Sequence, residues 1–220
     1  MPVVLVMAKV PIPGQVKTRL AATQGAVRAA QLATAALLDT FDVCERTFGL
    51  GRCHVSLGGD LGQLDDVELL SRLRSWTVHP QWGAGLGERI ANAHRELCPT
   101  SRAPVVQIGI DTPQVTSAVL RSVAAMAVHQ PVLGLADDGG WWVLATNDPA
   151  QVDGLEDVPM STARTGQMTW ELLRSRGSSV GVAPVMRDVD EAADAELVAT
   201  LAPTTRFARA WRSGRAGTGG

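Results

Sequence analysis

The sequence predicts an α/β domain built on a mostly parallel sheet with helices on both faces. Three observations carry this. The opening run Val3-Val4-Leu5-Val6 is apolar without alternation, as strands buried on both faces are. Short apolar runs of this kind then alternate with stripes of helical spacing. Finally, 220 residues without a linker-like stretch suffice for one sizeable core. One domain is therefore expected over 1–212, followed by a glycine-rich tail at 213–220 that is expected to be disordered.

The elements follow in chain order. After the first strand, Pro11 and Pro13 stop the ladder, because each lacks a donor and fixes its own φ, and Gly14 permits a turn or a close backbone approach. Ala26, Ala30, Ala33, Leu37, Phe41 and Cys44 form one helical stripe. His54 to Leu57 reads as a strand, Val67 to Leu73 as a helix, and Trp76 to His79 as a short strand. Leu86, Ile90, Ala93 and Leu97 mark the next helix, and Val105 to Ile110 the next strong strand. Thr116 or Ser117 can cap the helix carrying Leu120, Val123, Ala124 and Ala127. Pro131 to Leu135 and Trp142 to Ala145 read as strands around a polar turn. A short helix at Trp170 to Leu173, a strand at Val180 to Ala183 and a helix at Leu197 to Leu201 complete the series.

Composition excludes several classes. A net charge of −2 and a pI near 6.1 leave no global basic field, so nucleic acid is not expected as a partner. No segment has the length and apolarity of a membrane span, and no leader pattern opens the chain, so a cytoplasmic protein without membrane contact is expected. Cys44, Cys53 and Cys98 lack zinc-ligand spacing and read as buried free thiols. The four histidines show no metal-ligand spacing either.

The chemistry gathers where strands end, which is where ligands sit in such sheets. Lys9, Lys17 and Arg19 form a cation cluster without an acidic residue among them, either a phosphate grip or a solvated turn. Asp111 follows the Val105 strand and precedes Thr112-Pro113, where a carboxylate faces a ligand crevice or serves only the turn. Asp137-Asp138-Gly139-Gly140 before Trp141-Trp142 is either an acidic contact or a hairpin turn. In Asp188-Val189-Asp190, Asp190 is a second carboxylate or merely a helix N-cap. Cations after the first strand and carboxylates after later ones would meet in one crevice, the first suiting phosphate and the second a hard divalent ion.

The run Ala8-Lys9-x-Pro11-x-Pro13-Gly14-x-Val16-Lys17-Thr18-Arg19-Leu20 resembles the opening of the DUF2064 family. So do Gln81, Leu86-Gly87-Glu88-Arg89, Ile108-Gly109-x-Asp111-x-Pro113, Asp138-Gly139-Gly140, Ser161-Thr162 and Asp188-Val189-Asp190. The resemblance runs in order from about residue 3 to about residue 200 and implies a GT-A-like fold of the nucleotide-diphospho-sugar transferase superfamily, a three-layer α/β/α sandwich around a mixed, mainly parallel sheet. It also implies a divalent metal, Mg²⁺ or Mn²⁺, on Asp111 and Asp190. Trp141 stands where the family usually has Tyr, Met160 where it has Trp, and Glu191 where it has Thr, the last removing a helix-capping hydroxyl beside Asp190.

Two transfer reactions fit these residues. In nucleotidyl transfer, Lys9, Pro13, Gly14, Lys17, Thr18 and Arg19 bind the phosphates of a nucleoside triphosphate. A small phosphorylated or carboxylate acceptor then displaces pyrophosphate. The spacing Lys-x7-Lys-Thr-Arg-Leu also resembles the opening of phospholactate guanylyltransferases and, more distantly, molybdenum-cofactor guanylyltransferases, and the cation count favours this reaction. In glycosyl transfer, a nucleotide sugar is the donor, and Asp137 or Asp138 contacts the sugar or acts as base, with Gly139, Gly140, Trp141, Ser161 and Thr162 around sugar or acceptor. In both, Lys17, Asp111 and Asp138 are the catalytic candidates. A non-catalytic nucleotide-binding module is a third option, weakened because unused carboxylates would repel phosphate. Assembly stays open, a homodimer included.

Overall fold

The protein is described from a computed structural model that covers residues 1–101, 103–177 and 179–215. Seven strands, β1 (Val3–Lys9), β2 (Cys53–Gly58), β3 (Thr77–Pro80), β4 (Val105–Ile108), β5 (Val132–Leu135), β6 (Trp141–Thr146) and β7 (Gly181–Val182), form one sheet in the order β3-β2-β1-β4-β6-β5-β7. All neighbours run parallel except β6, which is antiparallel to β4 and to β5. The sheet is thus mixed and mainly parallel, with its one reversed strand supplied by the β5–β6 hairpin.

Eight α-helices accompany it among the described residues: α1 (Thr18–Gln24), α2 (Ala26–Phe48), α3 (Val67–Ser75), α4 (Leu86–Ser101), α5 (Ser117–Met126), α6 (Thr165–Ser175), α7 (Ala192–Leu201) and α8 (Arg206–Arg215). One face of the sheet packs its Val4, Val6, Val55, Val106 and Val143 against α2, α3 and α5. The other packs Val3, Leu5, Met7, Leu133 and Leu144 against α4 and α6. These are the three layers expected. Leu37 and Phe41 of α2 are fully buried, and each contributes about 2 kcal/mol of transfer free energy. Thr116 caps α5 as anticipated, accepting from the Val119 N–H.

Several elements differ from the sequence reading. The strand at Val105 ends at Ile108, because Gly109 and the Asp111 turn leave the ladder. The late strand is only Gly181–Val182. Asp190 does not cap α7; Glu191 does, in a capping box with Asp194. α1 is separated from α2 by Gly25 at φ 79°, which the sequence stripe did not resolve. α8 was not anticipated, and Ser213 to Arg215 belong to it; the remainder of the expected tail, 216–220, lies outside the described residues.

α8 completes a third apolar cluster in which Phe207 and Trp211 meet Leu32 and Ala36 of α2, Leu20 of α1 and Val189. Its first N–H groups are capped from far away in sequence, since the Asp39 carboxylate accepts from Arg206 at 2.9 Å and Phe207 at 2.8 Å. Cys44 and Cys53 are buried free thiols, with burial pushing the Cys53 thiol up to about 12, while the side chain of Cys98 lies outside the described residues. No helix among the described residues is long and apolar enough to cross a membrane.

Candidate functional site

A cleft of about 530 Å³ opens at the carboxyl ends of β1 and β4 and reaches across to α4, the β5–β6 hairpin and the segment before α7. Its position follows from topology, because β1 and β4 sit side by side at the sheet centre and their following segments part there.

Lys9, the last residue of β1, is exposed. The chain turns through Pro11, Pro13 and Gly14, and Lys17 arrives in the left-handed region, φ 48° and ψ 47°, directly ahead of α1. A non-glycine residue held there is strained. The Lys17 side chain is only 9% exposed, and its Nζ lies 2.5 Å from Asp111 Oδ1 and 3.7 Å from Asp190 Oδ1. It also donates to the Val189 carbonyl. Arg19, on the first turn of α1, pairs with Asp190 Oδ2 at 2.9 Å. Cations and carboxylates therefore share one crevice.

Asp188 is the acidic residue that sequence reasoning passed over. Its Oδ1 is buried with no hydrogen-bond partner among the described residues. Burial, with added repulsion from Asp111 and Asp138, pushes its carboxyl up to about 7, against an opposing pull from Lys17. Asp188 lay in the quoted Asp-Val-Asp motif, but strand alternation cannot say which of its two carboxylates turns inward when the strand itself is two residues long.

The hairpin turn is held by close backbone contacts. Gly139 at φ 89° accepts from the Gly166 N–H at 2.8 Å, and a Cβ on Gly139 would stand 2.2 Å from the Ala163 carbonyl oxygen. Asp138 lines the cleft, its Oδ1 accepting from the Gly140 N–H at 2.8 Å. Gly140, Trp141, Ser161, Thr162 and Thr18 also line it. Trp141 spends its Nε1–H on Thr169 and leaves its ring partly exposed. Ser161 sits at φ 60°, the second non-glycine residue with positive φ among those described.

Four predicted site residues are not brought to the cleft wall. Pro13 and Gly14 only shape the loop. Asp137 points away to Arg187, which it meets at 3.0 Å. Gly139 faces a separate groove beside α6. Trp142 borders the cleft but belongs to the core, 3% exposed with its Nε1–H on the Pro184 carbonyl. Gln81 and Gln107 also line the cleft. Gln81 donates from Nε2 to the carbonyls of Ala8 and Ser56, which leaves Oε1 as an acceptor. Gln107 is 2% exposed with its Oε1 unpartnered among the described residues. A lone carboxamide in the otherwise apolar Val105–Ile108 run was the available signal.

The donor set here is all oxygen, and one buried carboxylate oxygen lacks a partner, which suits a hard divalent cation. No three His, Cys, Asp or Glu side chains among the described residues form a ready cage. The Lys17 ammonium instead bridges Asp111 and Asp190. The residues fit such an ion once that ammonium moves.

Residues 41–162 match the family described as an uncharacterized protein conserved in bacteria, DUF2064. The chain belongs to the DUF2064 family. No curated protein matches its sequence. Among solved structures, this DUF2064 chain is similar to a protein from Desulfovibrio desulfuricans G20 provisionally named a nucleotide-diphospho-sugar transferase, with TM-score 0.80, 24% identity, and 98% and 95% of the two chains covered. A cytidylyltransferase from Leptospira borgpetersenii aligns with TM-score 0.59 and 10% identity over 98% and 94% of the chains. A protein from Bacillus anthracis provisionally named a glucose-1-phosphate thymidylyltransferase aligns with TM-score 0.56 and 11% identity over 94% and 99%. The DUF2064 chain therefore has the nucleotide-diphospho-sugar transferase fold that its motifs implied.

Proposed function

We propose that this protein is a cytoplasmic transferase that moves a nucleotidyl group from a nucleoside triphosphate to a small phosphorylated or carboxylate acceptor. One observation carries the reading: Lys9, Lys17 and Arg19 converge with Asp111, Asp188 and Asp190 in a single cleft at the carboxyl edge of the sheet. Three cations there match the charge of a departing pyrophosphate better than that of a diphosphate still bound to its nucleoside. Two structures of the same fold are named nucleotidyltransferases.

In this reaction an anionic oxygen of the acceptor attacks the α-phosphorus in line. A new O–P bond forms, the bond from the α-phosphorus to the bridging oxygen breaks, and pyrophosphate leaves with the electron pair. No proton moves when the acceptor is already an anion. Lys9 and Arg19, with Thr18, neutralise and orient the outer phosphates, and Lys17 guards the inner edge. Asp111 and Asp190, with the buried Asp188 beside them, would hold Mg²⁺ or Mn²⁺, which when bound supplies charge neutralisation at the reacting phosphates. Asp138 and the Trp141 ring flank the space left for the acceptor.

A second reading is glycosyl transfer. It is favoured by the partly exposed Trp141 ring and the adjacent Asp138, a combination suited to stacking on and orienting a sugar. Thermal unfolding in Mg²⁺ with each nucleoside triphosphate and each common nucleotide sugar separates the two. Protection by a triphosphate alone is expected. Protection by nucleotide sugars alone would reverse the assignment.

A further inference from the structure

We propose that Lys17 occupies the cation position between Asp111 and Asp190, so that a divalent metal enters this cleft together with a phosphate-bearing ligand and not ahead of it. The inference rests on the transferase reading above and assigns Lys17 a positioning role beyond phosphate binding.

An ammonium group has three donors, and in Lys17 two of them are spent on Asp111 and on the Val189 carbonyl, with Asp190 completing the ion pair from further off. Its Nζ meets Asp111 Oδ1 at 2.5 Å, Asp190 Oδ1 at 3.7 Å and the Val189 carbonyl oxygen. The side chain is 9% exposed, and the backbone accepts a left-handed conformation to place it there. This is a fitted internal cation rather than a solvated lysine resting near acids.

A metal ion bound to Asp111 and Asp190 would need the space that Nζ fills, and a second cation beside an unmoved ammonium is strongly repelled. Metal alone therefore competes with Lys17 for the same oxygens. A phosphate changes the balance, because it gives the ammonium another anion and brings negative charge for the metal. The exchange frees Asp111 as Lys17 turns to the phosphate. Arg19 differs: it is 63% exposed and touches Asp190 from outside, so its removal unblocks less.

The test measures Mn²⁺ binding without nucleotide, by calorimetry, on the unaltered protein and on Lys17→Met, Lys17→Gln and Arg19→Gln. Both Lys17 variants are expected to bind Mn²⁺ about tenfold more tightly than the unaltered protein, and Arg19→Gln to change less. Lys17→Gln keeps a donor for the Val189 carbonyl, so it carries the measurement if Lys17→Met fails to fold. Equal or weaker Mn²⁺ affinity in the Lys17 variants, or no Mn²⁺ binding in any protein, overturns the inference. Nucleotide protection of the unaltered protein is recorded in parallel. If that protection is present while Lys17→Gln gains no affinity, the lysine role falls and the transferase reading stands. If affinity rises but no nucleotide protects, the lysine role stands and the transferase reading falls.

Discussion

The backbone N–H of Val189 donates to the carbonyl of Asp111 at 2.8 Å, and this bond fastens the turn after β4 to the segment after β7. The acidic side chains on either side of it are thereby held in mutual repulsion, with Asp188 the most buried of them.

Replacing Asp188 by Asn removes that repulsion and keeps the shape. In the absence of metal and at pH 8, Asp188→Asn is expected to raise the unfolding free energy by about 1 kcal/mol or more. The same variant should lose the Mg²⁺-dependent part of nucleotide protection. Denaturant unfolding and thermal shift report the two effects separately. A less stable variant with intact protection would show that Asp188 is a structural residue.

Gln107→Leu is expected to behave in a related way for a different reason. The buried Oε1 finds no partner among the described residues, so an apolar replacement of similar size should stabilise the fold by about 1 kcal/mol. If Gln107 faces the ligand, the stabilised variant binds it more weakly. Equal or tighter nucleotide binding would remove Gln107 from the site.

Most of this fold could be read from residues. Val3 to Val6 and Val105 to Ile108 lack alternation because each packs on both sheet faces, and that alone fixes them as central strands. What escaped depends on tertiary contact. α8 has few apolar residues of its own and takes its order from Asp39, a partner 167 positions away. The site was legible as residue types but not as pairings. Lys17 read as a free cation because Asp111 and Asp190 lie 94 and 173 positions downstream, and only the fold makes them neighbours.

His94 sets an acid limit. It is fully buried against Thr146, its Nδ1 2.9 Å from the hydroxyl oxygen, and burial lowers its pKa to about 3 from an ordinary 6.5. The unfolded chain therefore binds the proton more readily between those values. Stability contributed by neutral His94 is complete above pH 6.5 and is lost progressively as pH falls towards 3, to a total of roughly 5 kcal/mol. His94→Gln should flatten the fall in stability between pH 6 and pH 4. An unchanged pH profile would assign the acid sensitivity elsewhere.

Gly139→Ala tests the hairpin. The added Cβ would meet the Ala163 carbonyl oxygen at 2.2 Å while the backbone stays at φ 89°. A loss of about 2 kcal/mol or more is expected, together with weaker ligand protection, because Asp138 and Trp141 move with the turn. A variant as stable as the parent would mean that the 161–166 segment yields without cost.

Val189 belongs to the same apolar cluster as Phe207 and Trp211 of α8, and Leu20, next to Arg19, belongs to it too. The charged residues of the cleft are thus mounted on a platform that residues 206–215 help to complete. During synthesis, that platform is unfinished until the ribosome has passed these positions. A chain interrupted before residue 206 leaves Leu32 and Ala36 uncovered and Asp39 without the N–H groups it caps. Such a product would carry its whole sheet yet display an apolar patch of the kind chaperones and proteases engage. Completion of the cleft is in this way tied to completion of translation through residue 215.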